Sequence, residues 1–201
     1  MATLAVAVLI VGVALAPQIA PKLTGLDPTN PKVTLADIEK VVAAKFPVPE
    51  MTASDLTAAL ADPGTIVFDV REPAEQAQSQ IPGARLISPN MSGEAFMATH
   101  GHEIAGKRVV VYCAVGVRSG IMAQRITQAA KDQAPARVYN LRGGIFRWHA
   151  SGGRLAAPQS TGPISAPSSG PIAGPISVPV GVHPYDAAWG QLLERTLRKP
   201  Q

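Results

Sequence analysis

The chain has 201 residues, 46% of them hydrophobic, which is enough to bury a core and excludes a wholly disordered polymer. Aromatics are only 4%, so that core is aliphatic and alanine-rich, while Gly 18 and Pro 19 leave some stretches without regular structure. A single cysteine excludes an intramolecular disulfide framework and a cysteine-based zinc centre, and a net charge of +4 from 18 basic and 14 acidic side chains is no nucleic-acid footprint.

Residues 2–16 carry no charge. The run fits the hydrophobic region of a secretory signal and is short for a spanning helix of about 20 residues. Ala14-Leu15-Ala16 resembles a cleavage site, but Pro17 follows it and no Lys or Arg precedes the run. Residues 1–20 are therefore read as an uncleaved membrane anchor in preference to a cleaved signal peptide, with a buried helix of the main fold as the bland alternative. The expectation is a membrane-anchored or exported protein, its domain on the extracytoplasmic side. Residues 21–48 read as a linker with one short helix. Thr34-Leu35-Ala36-Asp37 is a capping-box pattern, and Leu35, Ile38, Val41 and Val42 share the apolar face behind it. Thr52-Ala53-Ser54-Asp55 opens a second helix in the same way, with Leu56, Ala59 and Leu60 inward.

Four β-rich runs follow, at 65–70 (TIVFDV), 84–88 (ARLIS), 108–112 (RVVVY) and 137–141 (RVYNL). The first, third and fourth are almost continuously apolar, as strands covered on both faces are. Helical stretches fall between them, notably 119–130. Alternation of this kind predicts an α/β fold: one domain at 49–155, with a parallel β-sheet flanked by helices. Ligands of such sheets sit beyond the carboxyl ends of the strands. The residues there are Asp69-Val70-Arg71-Glu72-Pro73 after the first run, Cys113 to Gly120 after the third, and Arg142-Gly143-Gly144 after the fourth.

A lone cysteine behind an apolar strand is by default a small core residue. Here four residues, Ala114, Val115, Gly116 and Val117, join Cys113 to Arg118, and a helix begins at once. A loop this tight, with Gly116 free to take unusual backbone angles, turns several amides toward the sulfur. The helix N-terminus adds partial positive charge and Arg118 a full one. All three favour a thiolate, which makes Cys113 a candidate nucleophile. An arginine at the start of a helix is unfavourable without an anion beside it, a sign of an anion site. Asp69 and Arg71 read as a buried structural pair next to this loop. His100 and His102, bracketing Gly101, read as solvated loop residues and not a metal site; His149 reads as surface. No phosphate-binding or dinucleotide-binding glycine motif is present.

Residues 156–183 read as a Pro/Gly/Ser-rich tether. Between 157 and 182 there is no charged residue, and Gly-Pro-Ile occurs three times. Prolines at such spacing forbid a helix and favour an extended polyproline-like chain. Residues 184–201 then form an amphipathic helix, with Asp186 placed to cap it and Trp189, Leu192, Leu193 and Leu197 on one face. Tyr185 and Trp189 in so short a stretch argue against a free tail. The tail is expected to pack back on the parent domain, the alternative being a docking helix for a protein partner. If it packs back, His183 is in reach of the cysteine loop.

Four motifs now stand in one order: Asp69-Val70-Arg71-Glu72-Pro73; Ile81-Pro82-Gly83-Ala84; Val110-Val111-Tyr112-Cys113 with Gly116-x-Arg118-Ser119; and Leu141-Arg142-Gly143-Gly144 with Trp148 and Gly152. Across residues 51–155 they resemble the rhodanese (sulfurtransferase) domain family. The resemblance implies that Cys113 is the sulfur-accepting nucleophile. It implies that Ala114, Val115, Gly116, Val117, Arg118 and Ser119 form the loop that holds the persulfide and the substrate anion, with Asp69 and Arg71 in support. The implied reaction passes a sulfane sulfur from thiosulfate or a persulfide donor, through a Cys113 persulfide, to a thiol or cyanide acceptor, with no metal and no cofactor. Phosphatases and arsenate reductases of similar fold have five residues between cysteine and arginine; four here favour a sulfur atom over an oxyanion. A non-catalytic binding module of the same fold at a membrane is the second reading, and the intact Cys113 loop argues against it. Because Arg118 is the loop's only cation, a persulfide is the expected donor in preference to thiosulfate.

Overall fold

The structure, a computed structural model, describes residues 24–130, 135, 137–157 and 181–198. The expected N-terminal anchor and most of the proline-rich tether lie outside the described residues. Among the described residues no helix is long and apolar enough to cross a membrane.

Both threonine capping boxes form. Thr34 and Asp37 exchange side-chain and backbone hydrogen bonds to open α1 (Leu35–Lys45), and Thr52 with Asp55 does the same for α2 (Ala53–Ala59). The apolar stripes behind them, Leu35, Ile38 and Val42 on α1 and Leu56 on α2, are buried in one core cluster. The segment expected to be a linker with a short helix is therefore part of the packed unit.

The sheet is built from β1 (Glu50–Met51), β2 (Thr65–Asp69), β3 (Arg85–Leu86), β4 (Arg108–Tyr112) and β5 (Arg137–Leu141). All pairings are parallel, in the order β1-β5-β4-β2-β3. The connecting helices are α3 (Pro73–Gln76), α4 (Gly93–Ile104) and α5 (Val117–Ala129), and α6 (Gly144–Ala150) follows β5. The central strand β4 shows why its run reads as continuously apolar. Successive side chains point to opposite faces. Val110 and Tyr112 enter the cluster that contains residues of α1, α2 and α6. Val109, Val111 and Cys113 enter the one formed by Phe96 and Ile104 of α4 with Met122 and Ile126 of α5.

Several elements differ from expectation. The strand expected at 84–88 is only Arg85–Leu86, both exposed, because this edge strand pairs with β2 alone. β1 is two residues long, too short to show any period in the sequence. α5 begins at Val117 and not at Ser119. His100 and His102 stand on α4, not in a polar loop. Ser92 caps that helix by accepting the Ala95 N–H, and His100 packs against the rings of Phe68 and Phe96 while Nδ1 lies 2.6 Å from Glu103. Phe96, His100 and Ile104 recur at helical spacing, a signal masked by two glycines in the same stretch. His149 is half-buried, and burial lowers its pKa.

The tail rejoins the domain. Ala156 forms an antiparallel bridge with Gln80, and Val182 is buried, so both ends of the expected tether belong to the fold. Asp186 accepts the Trp189 N–H at 2.9 Å at the start of α7 (Ala187–Arg198), which packs on α6. Arg195 on α7 donates to the Pro28 carbonyl at 2.7 Å. The buried stripe is Trp189, Leu192, Leu193 and Thr196; Leu197, expected in it, is 45% exposed. At about 100° per residue, Leu197 lies roughly 90° round from the centre of that stripe.

One turn fixes the rest of the active edge. Gly143 and Gly144 both have left-handed φ, 67° and 55°. They aim the first amides of α6 at the loop after β4: Ile145 N–H donates to the Cys113 carbonyl at 2.9 Å and Phe146 N–H to that of Ala114 at 3.1 Å. A Cβ on Gly144 would overlap both carbonyl oxygens. Gly144→Ala is therefore expected to cost about 2–4 kcal/mol, from the left-handed backbone and the overlap together. Urea unfolding measures it, and an unchanged midpoint would show that the two loops can part without cost.

Candidate active site

β4 ends at Tyr112, and the next residue carries the thiol, 1% exposed. The chain turns through Gly116, whose φ of 102° places it in the left-handed region as the N-cap of α5. This conformation directs the Gly116 N–H to Cys113 Sγ at 3.2 Å. Ser119, one turn into the helix, places its hydroxyl 3.5 Å from the same sulfur and 2.7 Å from Asn140 Oδ1. One hydroxyl proton serves both acceptors, and the shorter contact holds it. Asn140, buried on β5, also donates through Nδ2 to the Gly116 carbonyl at 3.0 Å. It thus anchors the glycine that faces the sulfur. The expected ring of several amides is, among the described hydrogen bonds, a single amide with a hydroxyl beside it. Ala114, Val115 and Val117 instead fill the core with aliphatic contacts.

Arg118 meets a protein carboxylate where an external anion was expected. Its two terminal nitrogens donate to Glu75 at 2.7 and 2.9 Å, and Glu72 lies 3.9 Å away. The Tyr185 ring covers the guanidinium at 4.8 Å. Burial opposes the charge on Arg118, but its hydrogen bonds to Glu75, followed by the charges of Cys113 and Glu75, raise its pKa above the ordinary value. Glu75 is 1% exposed and is also the N3 residue of the α3 capping box, accepting the Glu72 N–H at 2.9 Å.

Asp69 and Arg71 are both fully buried, as expected of a structural pair. Arg71 Nε and Nη2 donate to the Asp69 carboxylate at 3.0 and 2.6 Å, and Nη2 also reaches the Ser79 carbonyl. Tyr112 donates its hydroxyl to Asp69 at 2.7 Å and accepts the Ile81 N–H at 3.1 Å. Burial first, then the Asp69 charge, pushes the Tyr112 pKa well up, so the phenol keeps the proton it donates. This network lies on the Tyr112 face of the sheet, pinning residues 79–81 to the strand that carries Cys113.

Glu72, Glu75, Asn140 and Tyr185 went unread as site residues. The Glu72-Pro73-Ala74-Glu75 pattern marks a helix start, but nothing local says that its second carboxylate also grips Arg118. Asn140 had one signal, a polar residue on the inner run of an apolar strand.

Residues 52–151 match the model of the rhodanese-like domain. A sulfurtransferase of Allochromatium vinosum is 35% identical over 114 residues, covering 56% of this chain and 98% of that protein. The chain belongs to the rhodanese-like family. A tRNA uridine(34) hydroxylase of Mesorhizobium japonicum is 28% identical over 99 residues, 47% of this chain and 30% of that protein. A crystal structure of thiosulfate sulfurtransferase from Pseudomonas aeruginosa is similar with a TM-score of 0.48 and 25% identity, covering 63% of this chain and 24% of that one. The rhodanese-like match contains the whole Cys113 loop but leaves out α1 and α7, both of which pack on the domain.

Proposed function

We propose that this rhodanese-like protein is a sulfurtransferase that carries a sulfane sulfur on Cys113. The observation that carries the proposal is the donation of the Gly116 N–H to a cysteine sulfur at the end of the central strand. That amide, at a helix N-terminus, stabilises negative charge on whichever sulfur occupies the turn. The similarity over 98% of the Allochromatium vinosum sulfurtransferase supports the same reading. In the forward step the Cys113 thiolate attacks the outer sulfur of a donor R–S–SH. The donor S–S bond breaks, R–S⁻ leaves, and a new S–S bond forms on Cys113. A thiolate acceptor then takes the outer sulfur and returns the Cys113 thiolate, with no external oxidant or reductant consumed.

The donor is a persulfide in preference to thiosulfate. Glu72 and Glu75 place two carboxylates against the one guanidinium of Arg118, whose fork is already engaged. A dianion entering here meets little free positive charge. Incubation with an organic persulfide, followed by intact-mass measurement, should add the mass of one sulfur atom to the wild type and none to Cys113→Ser. No added sulfur from either donor class would overturn the proposal. Glu75→Gln keeps the capping oxygen but removes one negative charge beside Arg118. It is expected to raise the rate of loading from thiosulfate roughly tenfold, with less effect on the organic persulfide. Parallel single-turnover loading with both donors checks this, and equal changes for the two would count against charge as the discriminator.

A further inference from the structure

The returning tail reaches Arg118, at the end of the Cys113 loop. The Gly181 carbonyl accepts from Gln78 Nε2 at 2.9 Å and from Ser79 Oγ at 3.1 Å, in the segment after α3. Four residues later the Tyr185 ring lies over Arg118, at the end of the cysteine loop. Residues 181–185 thus run as a strap from the segment after α3 to Arg118, with Val182 buried between the two attachments. Among the described residues Tyr185 is the only non-glycine with positive φ, at 72°. Its N–H donates to His183 Nδ1 at 3.0 Å, which braces the turn. A bulky residue keeps such a conformation only when its surroundings hold it there. The holding is visible on both sides: the Gly181 carbonyl before it, and the Asp186 cap and buried stripe of α7 after it.

The strap changes what Arg118 can do. An anion reads arginine through its fork or against its face. Glu75 occupies the fork and Tyr185 the face. We propose that Tyr185 is a specificity-determining residue of the Cys113 site, which screens Arg118 from small anions and so selects organic persulfides over thiosulfate as sulfur donors. The choice of donors rests on the sulfurtransferase reading; the screening itself does not. A donor whose sulfur carries no adjacent negative charge has no need of Arg118 and loses nothing to the ring. A small dianion must displace the ring to reach Arg118, and the strap opposes that displacement at both ends.

The test separates charge from access. Tyr185→Asn removes the ring with a residue that tolerates the left-handed backbone, and Tyr185→Phe keeps the ring. Cys113 is alkylated with neutral iodoacetamide and, separately, with anionic iodoacetate, the only thiol in the chain giving an unambiguous readout by mass. Tyr185→Asn is expected to raise the iodoacetate rate about tenfold more than the iodoacetamide rate, and to raise loading from thiosulfate over loading from an organic persulfide by a similar factor. Tyr185→Phe should match the wild type. Equal acceleration of both alkylating agents would reduce the strap to a simple cover and overturn the proposal, as would wild-type rates in Tyr185→Asn. Charge-selective alkylation without sulfur loading from either donor would support the screening by Tyr185 and overturn the sulfurtransferase reading instead.

Discussion

Cys113→Ser is expected to lower single-turnover sulfur loading by about 10⁴-fold or more, the scale seen when a covalent nucleophile is removed. The alkoxide needed for attack is far less accessible than a thiolate, and an O–S bond to the transferred sulfur is no stable carrier. The fold should survive the exchange. The new hydroxyl is smaller than the thiol and can accept the Gly116 N–H, so one of its polar valences is met inside the apolar cluster that now holds Sγ. Stability should fall by only about 1–2 kcal/mol, the cost of a partly satisfied buried hydroxyl. Intact-mass kinetics and a urea melt on the same preparation separate the two effects. Loading in the serine variant at more than a small fraction of the wild-type rate would place the sulfur carrier elsewhere, and in this chain no other cysteine exists.

Asp69→Ala should be among the most destabilising single substitutions, at about 3–5 kcal/mol. Arg71 and Asp69 have no exposed side-chain surface, so no water enters to replace a lost partner. Without the carboxylate the guanidinium keeps the Ser79 carbonyl and the Tyr112 ring, and among the described residues its Nη1 has no hydrogen-bond partner even in the intact protein. Burial alone pulls the Arg71 pKa down. The hydrogen bonds and charge of Asp69, with smaller help from Tyr112 and Glu75, outweigh it and leave the pKa raised. Deleting Asp69 removes the main reason the charge is tolerable. It also frees the Tyr112 hydroxyl, which holds the Ile81 N–H against β4. The double variant Asp69→Ala/Arg71→Met leaves no uncompensated charge and should recover part of the loss. Chemical denaturation of the single and double variants gives the coupling. A double variant less stable than Asp69→Ala would show that Arg71 stabilises the fold through contacts other than this pair.

These two residues illustrate how far linear patterns reach. Cys113 and the Asp69–Arg71 pair were legible because they stand at the ends of strongly apolar runs, and Arg118 because it stands at the start of a helix with four residues between it and Cys113; in a parallel sheet the ends of such runs share one edge. Glu75 was not legible as a site residue. It belongs to a capping pattern 38 residues before Cys113, and its second bond, to Arg118, spans 43 positions. The same holds for Tyr185, whose place over Arg118 depends on a tail that reads in sequence only as an amphipathic helix after a proline-rich stretch.

The amino-acid order by itself determined the alternation of strands and helices, the capping boxes, the four-residue interval between Cys113 and Arg118, and the burial of the charged pair beside them. All of these are set by local periodicity, backbone preference or the cost of leaving a charge alone in an apolar setting. Only the tertiary structure decided how the sulfur is held and what faces Arg118. One amide reaches the sulfur where several were expected, because the loop's aliphatic side chains turn into the core. The arginine meets Glu75 and Tyr185 because α3 and the returning tail converge on it. Which groups meet across a sheet edge depends on the packing of segments far apart in the chain, and no local pattern encodes those distances.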